Sequence, residues 1–394
     1  MGSRKGAKVF TERRKARKEK IIEERTKLSQ SIQNILDRTV AGERLGAEDA
    51  LTLLQRADLD ALGRAALAVR RRMHPAPIAT YVIDRNINYT NVCVADCDFC
   101  AFYRRPGDPE EYVLPRAELY QKIDELQAIG GTQILMQGGH HPYLKLDWYE
   151  ELLHDIRTRY PAIHIHAFSP SEVVHFSHIF KMPVREVVRR LKAAGLHSIP
   201  GGGGEILVDR VREIIAPKKA MTDEWLGVMA DAAREGLKGS CTMVIGHFET
   251  LADRIEHLER LRREQDETAP FSAFIVWTMQ PKHTKLEGRI EAAGSFDYLR
   301  TLAIARLYLD NIPNIQSSWV TQGAKVGQLS FMHGCNDWGG LMMEENVVSQ
   351  AGTVHDIKID EMRRLSAELG LELKQRNFYY EIAAELSEST NAAA

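Results

Sequence analysis

The stretch TYVIDRNINYTNVCVADCDFCAFY, residues 80–103, places a β-rich run directly before three closely spaced cysteines, Cys93, Cys97 and Cys100. The spacing C-x3-C-x2-C supplies three thiolates and no fourth. Structural zinc usually takes four closed ligands, whereas iron-sulfur clusters are held mainly by cysteine thiolates. A four-iron cluster on these cysteines would keep one iron open for a small molecule. A zinc site completed by a distant His or Cys is the alternative.

Outward from this stretch, short β-rich runs alternate with amphipathic patterns. The runs that predict strands are residues 80–86, 133–137, 163–168, 197–199, 241–245, 274–279, 315–319 and 328–331. The patterns that predict helices cover residues 116–128, 148–159, 184–194, 222–235, 251–264 and 296–309. This alternation indicates parallel βαβ units, so we predict an α/β fold, a (β/α)8 TIM-type barrel with an N-terminal helical extension. In such barrels the chemistry lies in the loops that follow the strands.

The N-terminal part differs in composition from this body. Residues 3–27 contain eleven Lys or Arg against four Glu, and residues 35–73 carry apolar residues at helical spacing. We predict a basic tail over residues 1–30, a helical extension over 31–75, and the barrel with C-terminal additions over 76–394. For the basic tail we favour a solvated or frayed helix over an arm that binds nucleic acid.

Composition limits the classes of partner. The net charge is -2 over 394 residues, so no global field favours nucleic acid or an anionic membrane. No run approaches the roughly 18 apolar residues of a membrane helix, and no signal peptide is visible. Five cysteines, three of them clustered, are not a disulfide framework. We expect a soluble, cytoplasmic protein with a small-molecule substrate and with no nucleic-acid or membrane partner.

The cysteine motif, with the aromatic Phe99 before its last cysteine, resembles the signature of the radical S-adenosylmethionine superfamily. The resemblance implies a [4Fe-4S] cluster on the three cysteines, whose open iron is chelated by the amino and carboxylate groups of S-adenosylmethionine. Phe99 would lie near the adenine. The resemblance also implies a 5′-deoxyadenosyl radical that removes a substrate hydrogen, and an electron donor such as flavodoxin or ferredoxin. The cofactor carries this chemistry, and the protein positions it.

The end of the second predicted strand resembles a site for S-adenosylmethionine. Gln137, Gly138 and Gly139 lie where the superfamily often has a Gly-Gly-Glu motif that receives the amino group of the cofactor. His140 stands in place of the usual Glu. Glycine allows the cofactor to approach the backbone closely. A plain strand-to-helix turn is the alternative interpretation of these glycines.

Two further strand ends resemble cofactor-binding positions. Ser169 and Glu172, in the run SPSE, could offer a hydroxyl and a carboxylate to the ribose of S-adenosylmethionine. Equally, the two side chains suit a capping box at a helix start. Gly246, in the run MVIGHFE of residues 243–249, lies in a segment similar to one that passes the adenine.

Four glycines precede Glu205 in the run PGGGGE, residues 200–205. The run lacks the Gly-Lys-Ser/Thr ending of a P-loop. We therefore predict a wall that a substrate approaches closely, with Glu205 in polar contact or proton transfer, or else structural. His164 and His166 share one strand face, where core histidines are more common than metal ligands.

The segments DRNINYTNVC, QGGHHP, HAFSPSEV, IPGGGGEIL, GCNDWGGLMMEENV and QRNFYYEI resemble the cyclic dehypoxanthine futalosine synthase family of menaquinone biosynthesis. The resemblance implies removal of the ribose C4′ hydrogen of dehypoxanthine futalosine, followed by radical attack on the attached benzoate ring. Loss of one proton and one electron completes the reaction. Glu205, Asp337 and His247 are candidate bases for that proton.

The benzoate carboxylate needs a cation, for which the candidates are Arg85, Arg104 and Arg210, because Arg can bind a carboxylate bidentately. Two related groups, aminofutalosine synthase and the second subunit of FO synthase, are the alternative assignments. A non-catalytic iron-sulfur carrier is a weaker alternative, because it does not explain the glycine-rich strand ends.

Overall fold

The computed structural model describes residue 17, residue 20 and residues 26–382. Most of the predicted basic tail, residues 1–30, therefore lies outside the described residues. The rest of the chain carries the strands and helices that position the three cysteines.

In the described part of the chain, ten strands form one sheet in which all paired neighbours are parallel. They are β1 Ile78–Val82, β2 Asp84–Asn88, β3 Gln133–Gln137, β4 His164–Ala167, β5 Ser198–Ile199, β6 Lys238–Ile245, β7 Phe271–Thr278, β8 Asn314–Gln316, β9 Asp337–Gly340 and β10 Glu372–Gln375. The strand order is β10-β1-β9-β8-β7-β6-β5-β4-β3-β2.

The split first strand closes this sheet into a barrel. Only Ile83 separates β1, which pairs with β9 and β10, from β2, which pairs with β3. The Leu341 amide donates to the Val82 carbonyl at 2.9 Å, and the Thr132 amide donates to the Ile83 carbonyl at 3.1 Å. The β1–β2 run therefore joins the two ends of the sheet, and with β3 to β9 it completes a barrel. The predicted α/β fold of TIM type is confirmed.

Helices connect most of the strands and cover the outside of the barrel. A helix that runs through residues 26–41 is α1. The others are α2 Ala47–Arg56, α3 Leu59–Met73, α4 Arg116–Ala128, α5 Leu146–Arg159, α6 Pro170–Phe180, α7 Val184–Ala194, α8 Asp209–Ile215, α9 Thr222–Arg234, α10 Leu251–Glu267, α11 Ser295–Tyr308, α12 Trp319–Ser330, α13 Val347–Gln350 and α14 Ile359–Glu368. Within the described residues, none of them is both long and apolar enough to span a membrane.

One predicted strand is wrong. Residues 328–331 form the end of α12 and the start of a short 3-10 turn, and the last barrel strand is β9 instead. Leu329 and Phe331 alternate with polar residues, which is typical of a strand, but Leu329 is exposed on a helix. The strand β9 has the sequence DWGG, which has little β propensity. It is stabilised by its position between β1 and β8.

The N-terminal extension packs on the outside of the barrel through α2 and α3, which contact α11. Arg300 of α11 donates to the carbonyls of Leu54 at 2.6 Å and Ala57 at 2.7 Å. These carbonyls belong to the C-terminal end of α2, where the last turn of a helix lacks internal donors. The extension is thus helical as expected, while the domain boundaries stay a prediction.

The segment after β10 forms the floor of the barrel lumen. Arg376 donates to Asp337 through Nη2 at 2.8 Å and through Nε at 2.5 Å. The Arg376 guanidinium lies 4.0 Å from the centre of the Tyr380 ring, and the Phe378 ring stacks on His164 at 4.5 Å. Asp337 is 0 % exposed. A buried ion pair therefore anchors the floor segment to β9.

We expect Asp337→Ala to lower the free energy of unfolding by about 3–5 kcal/mol, because it leaves the Arg376 guanidinium buried without a counter-charge. Urea-induced unfolding measures the loss. The double variant Asp337→Leu with Arg376→Met, which replaces the pair by apolar side chains, should recover most of it. A loss below about 1 kcal/mol in Asp337→Ala, the level of an exposed pair, would contradict the anchoring role.

Candidate functional site

The three predicted cluster ligands lie on the loop that follows β2 and line one cavity of about 230 Å³, which we call the cysteine cavity. The thiols of Cys93, Cys97 and Cys100 are free of disulfides. Cys93 Sγ accepts hydrogen bonds from the backbone amides of Ala95 at 3.4 Å and His140 at 3.3 Å. Burial raises the pKa of the Cys97 and Cys100 thiols. Burial therefore favours the neutral thiols, and a bound metal would favour the thiolate form.

Polar contacts fix the conformation of this loop. Asp96 has a φ of 56°, in the left-handed region that Asp tolerates better than most residues. Its carboxylate accepts hydrogen bonds from Tyr103 Oη at 2.5 Å, Arg105 at 2.7 Å and Lys285 at 3.0 Å. The Asp98 amide donates to the Ile215 carbonyl at 2.9 Å. The loop that carries the thiols is thus held by its own Tyr103 and Arg105 and by two other parts of the chain, at Lys285 and Ile215.

The glycines after β3 allow the cysteine loop to approach the barrel. A Cβ atom at Gly138 would collide with the Tyr89 ring, and one at Gly139 would collide with the Val92 carbonyl oxygen. Gln137, Gly138 and Gly139 all line the cysteine cavity. The structure thus gives these glycines a packing reason beyond a simple turn.

Ser169 and Glu172 form the capping box at the start of α6 and also line the cysteine cavity. Glu172 Oε2 accepts from the Ser169 amide at 2.7 Å, and Oε1 accepts from Tyr89 Oη at 2.7 Å and the Gly138 amide at 3.0 Å. Burial raises the pKa of Glu172. Its oxygens are engaged with protein donors, so the capping interpretation accounts for the residue in this structure.

Glu205 lies at the junction of two cavities. The cysteine cavity adjoins a second cavity of about 280 Å³ inside the barrel, the lumen cavity. Residues shared by the two linings are Gln137, Gly202, Gly203, Glu205 and Val347. A molecule in the lumen cavity would therefore meet a molecule bound at the cysteines beside Glu205.

Two cations surround the Glu205 carboxylate. Lys219 Nζ donates to Oε1 at 2.9 Å, and Arg212 Nη1 lies 3.5 Å from Oε2, which accepts no hydrogen bond. Burial opposes ionisation of Glu205, but Lys219 and Arg212 outweigh it and lower the pKa of the carboxyl. Lys219 also lies 5.1 Å from the centre of the Phe99 ring, which lines the cysteine cavity. No sequence motif predicts Lys219 as a residue of this site.

The lumen wall is polar on the side of β2, β3 and β4. Asp84, Asn86, Gln133 and His166 line it, and Arg376 lies in the floor. Burial raises the pKa of Asp84 to about 6, and burial lowers the pKa of His166 to about 3. Both groups are therefore pushed toward their neutral forms.

His164 and His166 lie on the same face of their strand, as expected, and both rings also contact the same side-chain hydroxyl. Ser198 Oγ lies 2.7 Å from His164 Nε2 and 2.6 Å from His166 Nδ1. Within residues 26–382 no group of three or more His, Cys, Asp or Glu side chains is placed to hold a single metal ion. His166 lines the lumen cavity, and His164 lies two residues before it on the same strand.

Three sequence-predicted residues line neither cavity. His247 Nε2 donates to the Val244 carbonyl at 2.9 Å, and Nδ1 accepts from the Phe248 amide at 2.8 Å. Both ring nitrogens therefore bond within the turn that contains His247. Gly246 has a φ of 90° in the same turn. Asp337 is bound to the floor arginine below the lumen. The structure does not bring these three residues to the cavities.

The predicted carboxylate-binding arginines also lie away from both cavities. Arg85 pairs with Glu125 and Glu344, Arg104 with Glu110, and Arg210 with Asp253, as their ion-pair contacts show. The arginine that does line the lumen is Arg376. It lies in QRNFYYEI, whose aromatic and polar residues give no pattern that predicts a barrel floor.

Comparisons with known proteins agree with this geometry. The model of the radical SAM superfamily matches residues 87–261, and that of the CofH/MqnC C-terminal region matches residues 268–389. A cyclic dehypoxanthine futalosine synthase from Halalkalibacterium halodurans is 47% identical, with 89% of this chain and 95% of the relative covered. The chain belongs to the radical SAM superfamily. A second protein of the same name, from Streptomyces coelicolor, is 46% identical over 89% of this chain and 88% of the relative.

Two more distant likenesses complete the comparison. An aminodeoxyfutalosine synthase from Thermus thermophilus is 39% identical, with 81% of this chain and 86% of the relative covered. The crystal structure of methylornithine synthase has a TM-score of 0.69 at 18% identity, with 86% of this chain and 97% of that chain covered. The likeness to methylornithine synthase shows only that the two chains share a barrel fold.

Radical SAM enzymes use a [4Fe-4S] cluster and S-adenosylmethionine, and the residues around the cysteine cavity fit this pair. The cavity contains three thiols, while Cys241 and Cys335 are buried away from it. Backbone amides that donate to sulfur are typical partners of cluster thiolates. The orphaned Glu205 Oε2 leaves an acceptor in the same cavity.

We expect the stability of the protein to fall as the pH rises through the range in which Asp84 ionises. The folded-state pKa of Asp84 is raised to about 6, so folding favours the protonated form, and this contribution is complete below about pH 4 and is lost progressively as the pH rises from about 4 through about 6. Asp84→Asn should therefore be more stable than the parent at pH 8, by up to about 3 kcal/mol at roughly 1.4 kcal/mol per pKa unit. Urea unfolding from pH 4 to pH 8 measures the difference in stability between the two proteins, and a difference that does not change with pH would refute the raised pKa of Asp84.

Proposed function

We propose that this radical SAM enzyme is a cyclic dehypoxanthine futalosine synthase of menaquinone biosynthesis. The observation that carries the proposal is the pair of adjoining cavities, which places a lumen for a small molecule next to the cysteine triplet. The relatives of that name are 46% and 47% identical, against 39% for the aminodeoxyfutalosine synthase. The aminofutalosine synthase and FO synthase assignments are not favoured.

In this proposal the cysteine cavity holds the cofactors. Cys93, Cys97 and Cys100 ligate the cluster, and the Gln137–Gly139 strand end provides the backbone surface against which S-adenosylmethionine lies, with Phe99 near the adenine. When bound, these cofactors supply a radical that removes a hydrogen atom from the substrate. Ser169 and Glu172 keep the wall of the cavity in place through the capping box. The glycines keep the strand end open, because any side chain there would collide with Tyr89 or Val92.

We assign proton removal to Glu205 rather than to Asp337 or His247. Of the three candidates, Glu205 lines both cavities, and its Oε2 has no hydrogen-bond donor. Lys219 and Arg212 keep the carboxyl ionised, so it is available as an acceptor at neutral pH. The proton leaves the benzoate ring carbon that has bonded to the ribose, and Glu205 Oε2 receives it.

The proposal includes a cytoplasmic location and a one-electron donor such as flavodoxin or ferredoxin. The substrate is a small molecule, and the reaction needs neither a nucleic acid nor a membrane as a partner. Support for the electron donor is the chemistry of the reaction, which needs one electron to start each cleavage of S-adenosylmethionine.

The direct test is product analysis under anaerobic conditions. With a reconstituted cluster, S-adenosylmethionine and a reductant, dehypoxanthine futalosine should give a product two hydrogens lighter. One hydrogen is transferred to 5′-deoxyadenosine, and the other leaves as a proton with one electron. Mass spectrometry measures both products, and the substrates of aminofutalosine synthase and FO synthase serve as controls. Turnover of a control substrate with none of dehypoxanthine futalosine would overturn the assignment.

Cys97→Ala should abolish both iron loading and turnover, because two thiolates do not hold the cluster. Iron and sulfide analysis with electron paramagnetic resonance of the reduced protein measures the loading. Cys241→Ala is the matched control, since this buried thiol lines neither cavity. Full cluster content in Cys97→Ala would remove the basis of the proposed ligand set.

A further inference from the structure

The side-chain oxygens of two carboxamides in the lumen wall lack a hydrogen-bond donor. Asn86 and Gln133 are each only 6% exposed, and Asn86 Oδ1 and Gln133 Oε1 are buried without a donor. Buried polar atoms are nearly always hydrogen-bonded, so each exception needs an explanation. An orphaned amide lowers the stability of the protein. A partner that arrives with a ligand would explain why both are kept.

The position of these side chains points to a ligand in the lumen cavity. Among the described residues that line this cavity, those with an orphaned buried atom are Asn86, Gln133 and Glu205. Glu205 already has Lys219 beside it. Asn86 and Gln133 are the neutral members of this set.

The two side chains are diagonal neighbours on adjacent strands. In the register of β2 and β3, Asn86 lies opposite Leu135, and Gln133 lies opposite Asp84. Adjacent strands are about 4.8 Å apart, and two residues along a strand cover about 6.6 Å. A single small molecule can therefore contact both carboxamides.

The chemistry of the pair fits hydroxyl groups. A carboxamide both donates and accepts a hydrogen bond, as does a hydroxyl, and neither carries a charge. A carboxylate would favour a cation, and the nearby Arg376 is already paired with Asp337. We propose that the Asn86 and Gln133 carboxamides bind the sugar hydroxyls of the substrate and hold the ribose below the junction at Glu205. This inference rests on the proposed function, which supplies a ribose.

The test uses two near-isosteric variants, Asn86→Leu and Gln133→Met, in the reconstituted enzyme. We expect KM for dehypoxanthine futalosine to rise about tenfold in each, the loss typical of one hydrogen bond to a substrate. The melting temperature of the protein without substrate should stay the same or rise, because an unsatisfied group has been removed. Asn311→Leu is the control, since Asn311 lies outside both cavities and donates to the Arg262 carbonyl at 2.8 Å. It should lower the melting temperature and leave KM unchanged.

Substrate analogues that lack the 2′- or 3′-hydroxyl of the ribose distinguish substrate binding from a purely structural role of the two carboxamides. The parent enzyme should lose about tenfold or more in kcat/KM on the loss of a hydroxyl, whereas the variant that lacks its partner should lose markedly less. Equal losses in the parent and both variants would overturn the inference, as would lowered melting temperatures with unchanged KM. If the parent enzyme does not cyclise dehypoxanthine futalosine at all, the proposed function fails instead, and the two failures are distinguishable.

Discussion

The barrel closes because one run of chain, residues 78–88, pairs with different neighbours along its length. Its first half bonds to β9 and β10, and its second half bonds to β3. Since side chains alternate along a strand, Asp84, Asn86 and Asn88 face inward in succession. Asp84 and Asn86 line the lumen cavity and Asn88 lines the cysteine cavity. The same hydrogen bonds that complete the sheet therefore align the lumen wall with the loop that carries the thiols.

Features with a local signature could be predicted from the sequence. The cysteine spacing, the glycines after β3 and the Ser169–Glu172 capping box depend on residues within a few positions of one another. Helices α4 and α7 have the predicted bounds because their amphipathic pattern agrees with their burial. The alternation of strands and helices was enough to predict the barrel, since it depends on many segments and tolerates one wrong strand.

Features that depend on distant contacts could not be predicted. Lys219 reaches Glu205 only because α8 and the loop after it turn back over the run of four glycines before Glu205, and nothing in the sequence APKKA distinguishes this lysine from a surface lysine. Arg376 enters the floor from the far C-terminal region. His247 had the same local signal as a lumen residue, but its ring nitrogens bond to its own turn. Local patterns identify a strand end, but they do not say which side chains point into the cavity.

The electrostatics of the lumen explain why the open groups are neutral. Arg376 is paired with Asp337 and Glu205 with Lys219, while burial moves Asp84 and His166 toward their uncharged forms. An uncompensated buried charge costs several kcal/mol, whereas an unsatisfied amide costs about 1–3 kcal/mol. Asn86 and Gln133 therefore keep binding capacity in the form that destabilises the empty protein least. At these two positions the lumen would distinguish substrates by hydrogen-bond complementarity, because a ligand without a matching hydroxyl leaves a buried amide without a partner.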